Sequence, residues 1–437
     1  MKDRRTPEEK GKALLLPNQT KEDAKLVTGL NHPVRRRPDI RVEDDVGTLV
    51  ERKSGFDPVF FVLVLILMLF GSVMVFSASY ADASARFGDS FYFAKRQIVF
   101  VFLSLIIIPV ISAIPYKFFF NTANILYAVS LGLLGAVLVY GLARGGAQRW
   151  FEVFGISVQP SEIAKITLIL ALARFMSLNK DKIIAYRRNP SLHGLENRKL
   201  RKANNRNSFV YGIVIPFLFI GGIDVLVMLE KHISGLVIIT LIGGLVMFYS
   251  GSRVRDLFPI LFLGVAVVVI LIVVFPYASK RVEVWLDPYQ YRLEGGWQTI
   301  QGLYAIGSGG QFGLGLGQSR LKFSYVSQPH NDFIFTIVCE ELGFVGACVL
   351  LLLFGLLVAR GIFISRRAPD AFASIVAFGI SSHLAIQVLL NVAVVTNSIP
   401  NTGIALPFFS YGGSSLIVLA AEMGIMLSIS RASYIRK

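Results

Sequence analysis

Apolar residues along this chain come in long uninterrupted runs, and the polar ones gather between them. Ten runs stand out, near 58–79, 97–115, 122–141, 160–178, 210–229, 235–250, 256–275, 334–359, 371–395 and 412–430. About 20 apolar residues make a helix long enough to cross bilayer hydrocarbon, and no soluble core needs that pattern repeatedly. The pattern predicts an all-α integral membrane protein with ten transmembrane helices. The run at 235–250 is short, and Gly235, Gly243 and Gly244 predict close helix contacts there. Residues 1–56 are polar and of mixed charge with little apolar periodicity, which predicts a disordered, basic cytoplasmic tail ahead of a membrane domain at 57–437. The first run, about 22 residues behind a long tail, reads as an uncleaved helix rather than a signal peptide.

Composition agrees: 54% of the 437 residues are hydrophobic, 16% are charged, and the mean hydropathy is +0.61. Charge placement orients the helices. With the N-terminus cytoplasmic, the inner segments hold 31 Lys and Arg and the outer ones 11; without the tail the counts are still 18 and 11. The positive-inside rule then puts both termini in the cytoplasm and a large extracytoplasmic loop, 276–333, between the seventh and eighth helices. The net charge of +16 therefore reads as topology and anionic-lipid contact, and no nucleic-acid partner is expected. Cys339 and Cys348 sit nine residues apart on one helix, about 13 Å along its axis, too far to bridge. No Cys/His metal cluster, nucleotide loop or dinucleotide fingerprint is present, so no nucleotide cofactor is expected.

Polar chemistry gathers in the outer segments. Asp332 closes the 276–333 loop where it enters the eighth run, and an acid kept at such a boundary reads as functional. Glu162 and Lys165, three apart at the top of the fourth run, read either as a structural pair or as the wall of a cavity that meets an anionic substrate. The turn EKHISG at 230–235 is either an interfacial turn or part of the same cavity, and Asp224 is a further buried acid with no partner in view. Val282, Trp285, Leu286 and Tyr289 predict an amphipathic piece on the outer surface. Six glycines between Gly307 and Gly317 either let backbone approach a ligand closely or form a flexible connector, with Arg320 and Lys322 nearby to neutralise phosphate. The charge-free stretch 397–415 breaks helix with two prolines and three glycines, so its backbone must line a cavity or be packed in protein.

The strings GAQRW, QPSEIAK, DP followed by AIGSGG, GLGLGQS, PHNDFIF, EELG and PNTGIALPFFSYGGSS occur in that order. Together they resemble the SEDS family of bacterial cell-wall synthesis, the FtsW, RodA and SpoVE proteins, over about residues 57–431. GLGLGQS lacks extra residues expected in many RodA proteins, which leans towards FtsW or SpoVE. The EKHISG turn departs from the PDLGT-like turn of many members, although Glu230 and His232 could take over a polar role.

The resemblance implies a membrane peptidoglycan glycosyltransferase that polymerises lipid II beside a class B penicillin-binding protein, among other membrane proteins of the division or elongation machinery. It maps the family's essential acid onto Asp332 as general base. Lys165, Glu162, Arg149, Arg320, Lys322, His330 and Ser410 are the expected substrate-binding residues. A divalent cation, Mg²⁺ or Mn²⁺, is expected to bridge phosphate oxygens with help from acidic loop residues; its protein ligands are not legible. The alternatives are a lipid II flippase using the same cavity and a non-catalytic scaffold of the same machinery.

Overall fold

Helices occupy all ten apolar segments. The computed structural model describes residues 55–144, 147–153, 156–188, 195–293, 295–320, 322 and 331–433; the tail expected over 1–56 lies, but for its last two residues, outside the described residues. Eight helices are long and apolar enough to cross a membrane. They are α1 (Pro58–Phe87), α2 (Tyr92–Ala113), α3 (Tyr116–Tyr140), α5 (Asn197–Leu229), α7 (Val254–Val274), α10 (Ile334–Arg367), α11 (Ala371–Val395) and α12 (Gly413–Ala432). Between them lie α4 (Pro160–Leu178), which carries Glu162, Lys165 and Arg174, and α6 (Ile233–Tyr249), 17 apolar residues long.

Local chemistry sets the helix ends. Asp57 caps α1 by accepting from the Phe60 amide at 3.0 Å, Pro58 sits in the first turn, and Arg360 from the end of α10 grips the same carboxylate at 3.0 and 3.2 Å. Asp370 caps α11 through the Ala373 amide at 2.8 Å and accepts from the Tyr116 hydroxyl at 2.9 Å. Inside, α4 packs against α3, α5, α6 and α11, and α12 runs along α2. This enclosure is why α4 tolerates charges: its Ala164, Leu168, Ile169 and Leu172 are fully buried in protein. Asp224 on α5 gains the partner the sequence does not reveal, accepting from Thr240 of α6 at 2.7 Å.

Two features amend the all-α, long-loop expectation. The outer segment after α3 folds into an antiparallel sheet, β1 (Leu142–Arg144), β2 (Ala147–Val153) and β3 (Ile156–Val158), with Ala143 opposite Gln148 and Phe151 opposite Val158. The 276–333 segment contains two helices, α8 (Pro276–Leu286) and α9 (Gly296–Ser308), the first carrying three of the four residues expected on an amphipathic surface piece.

The glycine-rich stretch packs closely against protein. Helix α10 breaks at Gly343 (φ 68°, ψ −169°), which frees backbone groups of the turns on either side. The strap that follows α9 satisfies them. Phe344 and Val345 donate to the carbonyls of Gly310 and Gln311 at 2.9 and 3.1 Å, while Leu314 and Gly315 donate to those of Glu340 and Glu341 at 3.0 Å each. A Cβ on Gly313 would lie 2.2 Å from the Glu341 carbonyl oxygen, so only glycine allows this approach.

The strap also neutralises the side chains at the break. Glu340 and Glu341 are fully buried; Glu340 accepts from the Ser319 hydroxyl and the Arg320 amide, and Glu341 from Ser77 of α1. Lys322 completes the arrangement, 3.2 Å from Glu341 with its side chain 3% exposed. Removing the Lys322 charge therefore strands a buried carboxylate, which costs about 3–5 kcal/mol. Lys322→Met is expected to lower the melting temperature sharply, and adding Glu341→Gln should recover more than half the loss. A melting temperature unchanged in Lys322→Met would refute the pairing.

Candidate active site

Asp332 lies in the turn 331–333 that leads into α10, half-buried beside the irregular segment 396–412. That segment has few internal hydrogen bonds, and polar side chains from its neighbours take up its backbone groups. Gln387 of α11 donates to the Ala405 carbonyl at 3.0 Å. Asn391, one helical turn further on, donates to the carbonyls of both Ile404 and Asp332, at 2.6 and 2.9 Å. Ser410 accepts from the Leu406 amide at 2.7 Å and donates to the Asn331 carbonyl at 2.8 Å. The loop is thus packed in protein, as helix-breaking sequence at membrane depth requires. Gly403, at φ 69°, brings its backbone to the acid: a Cβ there would lie 3.1 Å from Asp332 Oδ2.

From the other side α8 grips the same loop. Arg281 donates to the Asn401 carbonyl at 2.8 Å, and Trp285, one turn on, donates to that of Asn397 at 3.0 Å. Burial pushes the Asp332 carboxyl up to about 6, and the positive charge of Arg281 acts against that rise. A carboxylate so poised is ionised at neutral pH and still basic enough to take a proton.

A second polar group stands at the top of α4. Lys165 pairs with Glu162 at 2.8 Å, with its side chain only 4% exposed, so the pair expected from sequence forms. Above it, Ser161 meets His232 Nδ1 at 3.4 Å, and Arg149 of β2 donates to the carbonyls of Glu230 (3.2 Å) and Lys231 in the outer turn. Burial pushes the Glu230 carboxyl up to about 8, with the Arg149 charge opposing it. Burial and the Arg149 charge hold the His232 imidazole down at about 3. At neutral pH this turn presents a neutral acid and a neutral imidazole beside a fixed guanidinium. The EKHISG turn is thus tied to β2 by Arg149 and to the top of α4 by Ser161.

One cleft is lined by residues neighbouring both groups, though not by Asp332 or Lys165 themselves. Glu162, Gln387 and Ser410 line a narrow cleft together with His383 and Glu422, and His383 Nδ1 lies 3.1 Å from both carboxylate oxygens of Glu422. The charge of Arg281 also reaches both sides, acting on Asp332 and on His232.

Not every expected residue joins them. Arg320 is exposed beside the α10 break and anchored there by its backbone amide. Lys322 spends its charge on Glu341 rather than facing an open site. His330 lies outside the described residues. Sequence reading missed Arg281, Gln387, Asn391, His383 and Glu422. His383, Gln387 and Asn391, spaced four apart in the largely apolar run 371–395, were the signal available for three of these.

The profile of the FtsW, RodA and SpoVE family, described as "Cell cycle protein", matches residues 57–435. Stage V sporulation protein E of Bacillus subtilis (strain 168) is 38% identical over 387 residues, covering 88% of this chain and 100% of that one. A protein of Geobacter sp. (strain M18) named "Probable peptidoglycan glycosyltransferase FtsW" is 34% identical, covering 87% of this chain and 98% of that one. Among solved structures, one described as "Structural coordination of polymerization and crosslinking by a peptidoglycan synthase complex" superposes with a TM-score of 0.68 at 29% identity, covering 87% of this chain and 98% of that one. With a profile that spans nearly the whole described fold and relatives matched over their full length, this chain belongs to the FtsW, RodA and SpoVE family of membrane proteins.

Proposed function

We propose that this chain is a peptidoglycan glycosyltransferase of the cytoplasmic membrane, multi-pass, that polymerises lipid II into β-1,4-linked glycan on the outer face in cell division or cell-shape maintenance. The observation that carries the reading is Asp332: a carboxylate raised to about 6 that meets the charge-free loop at Gly403, the same loop whose residues 405–408 and 410 line a cleft with Glu162. The name of the Geobacter relative supports the same chemistry.

The reaction needs a base for the acceptor 4-hydroxyl and positive charge for the departing undecaprenyl diphosphate. The α-linked donor becomes a β-linked product, so one inverting displacement suffices. Asp332 takes the hydroxyl proton, a contribution of typically ~10²–10⁴-fold, or about 3–5 kcal/mol. Lys165 and Arg149 supply positive potential for the diphosphate, and Glu162, Ser410 and His330 complete the substrate contacts. Energy comes from the diphosphate leaving group, so no nucleotide is required.

The membrane topology in this reading has ten spans, α4 and α6 included, with both termini cytoplasmic. In a cysteine-free background, an impermeant maleimide should label Tyr289→Cys in intact cells and leave Lys199→Cys unlabelled until lysis. The opposite pattern would invert the topology and move Asp332 to the cytoplasm. The partner is a crosslinking enzyme, a class B penicillin-binding protein, consistent with the crosslinking complex of similar fold.

Asp332→Asn should leave a folded protein that binds this partner yet polymerises labelled lipid II at least ~100-fold more slowly. Near-normal glycan ladders would remove Asp332 from the mechanism; lipid scrambling without polymer would favour a flippase, and neither activity a scaffold.

A divalent cation is a further part of the proposal. Among the described residues no group of three His, Cys, Asp or Glu is placed to hold a metal ion. Mg²⁺ or Mn²⁺ would bridge phosphate oxygens of the diphosphate with help from acidic loop residues. Excess chelator should abolish polymerisation, and full activity in its presence would rule the cation out.

A further inference from the structure

We infer that Arg281 is the positioning residue of this site: its guanidinium ties the surface helix α8 to the charge-free loop at Asn401 and supplies the countercharge of Asp332. The inference rests on Asp332 acting as the base in the proposed polymerisation.

The geometry begins with α8. Arg281 and Trp285, one turn apart, face the membrane domain and take the carbonyls of Asn401 and Asn397. The Asn397 side chain answers Trp285 by donating to its carbonyl at 3.4 Å, and Asn397 itself sits at φ 56°, a left-handed conformation that asparagine accepts readily. The clamp therefore fixes residues 397–401. Two residues beyond Asn401, the backbone of Gly403 meets Asp332 Oδ2. Any loosening of α8 is passed directly to the acid's surroundings.

The charge inventory around Asp332 gives Arg281 its second role. The loop 396–412 and helix α9 contain no Asp, Glu, Lys, Arg or His. Helix α11 presents Asn391 to the Asp332 backbone, and its one titratable side chain, His383, pairs with Glu422. On α10, Glu340 and Glu341 are occupied by Ser319, Arg320, Ser77 and Lys322. Among the described residues, Arg281 alone opposes the effect of burial on the Asp332 carboxyl, while His330 precedes it just outside them.

The sign follows. Burial raises the Asp332 carboxyl to about 6 and Arg281 lowers it, so the base is ionised above that pH and is lost as pH falls through it. Without the Arg281 charge the carboxyl rises further, and the acid limb of the rate profile moves to higher pH. Lysine restores the charge but not the planar fork, so it keeps the limb and loses the grip on Asn401.

The test uses the full chain with its crosslinking partner in liposomes, assayed with labelled lipid II from about pH 5 to 9 for the wild type, Arg281→Met and Arg281→Lys. Melting temperatures report folding. The Asp332 carboxyl is also titrated by infrared difference spectroscopy, assigned by its loss in Asp332→Asn. Arg281→Met should be at least ~10-fold slower at neutral pH, with acid limb and infrared midpoint both displaced upward by about one pH unit. Arg281→Lys should hold the wild-type midpoint yet stay several-fold slower at every pH.

An unmoved midpoint in Arg281→Met overturns the countercharge, and a fully active Arg281→Lys overturns the tie to Asn401. If Arg281→Met does not fold, the lysine variant decides: a wild-type midpoint with lowered rate supports the assignment, and a raised midpoint overturns it. A displaced infrared midpoint in a protein that makes no glycan would uphold the Arg281–Asp332 coupling while defeating the polymerase reading.

Discussion

Backbone amides and carbonyls cannot be left bare in hydrocarbon, and the site exists because this chain meets that constraint at two irregular places. One is the break of α10 at Gly343, closed by four hydrogen bonds from the strap 310–315. The other is the loop 396–412, whose carbonyls are taken up by Gln387, Asn391, Arg281 and Trp285. Asp332 stands between the two. The break pins the short upper part of α10 that follows it, and the loop supplies its wall. A continuous α10 and a regular helix at 396–412 would cross the membrane more cheaply and would leave no cavity.

Charge is handled by the same logic. Three sets of deep ionisable groups come in pairs, Glu162 with Lys165, Glu341 with Lys322 and His383 with Glu422, while Glu340 relies on the Ser319 hydroxyl and the Arg320 amide. Each pairing offsets part of the cost of taking these groups out of water. Asp332 differs in being half-buried, with Arg281 acting on it from α8. That placement keeps it ionised at neutral pH while leaving it reachable from outside.

Much of this was legible in the sequence because a bilayer imposes one strong rule. The segments 160–178 and 371–395 coincide with α4 and α11 to the residue. Helices α1 and α10 overrun their apolar runs by eight residues each, since helical hydrogen bonding continues past the hydrocarbon edge into water. Asp332 and the Glu162–Lys165 pair were also readable, being polar groups where polarity is costly.

What escaped were matters of partnership. Nothing local to Lys322 says that Glu341 takes its charge, and a glycine-rich strap has the same composition whether it meets a phosphate or a broken helix. Arg281 was hidden among the ordinary charges of a surface helix, because its meaning depends on Asn401 and Asp332, far along the chain. The small sheet at 142–158 was overlooked because the hydropathy that identifies spans is blind to short strands at an interface.

The pairing of Glu341 carries a consequence for how the protein is made. A chain emerges and enters the membrane N-terminus first. Ser77, Ser319 and Lys322 all precede Glu341, and His383 precedes Glu422. When each of these glutamates reaches the bilayer, the groups that will satisfy it have already been synthesised. No nascent intermediate has to hold either carboxylate in hydrocarbon while waiting for a partner still to be translated. The order of residues along the chain is thus also a schedule for insertion, and a circular permutation that placed α10 ahead of α1 would break it while keeping every contact of the finished fold.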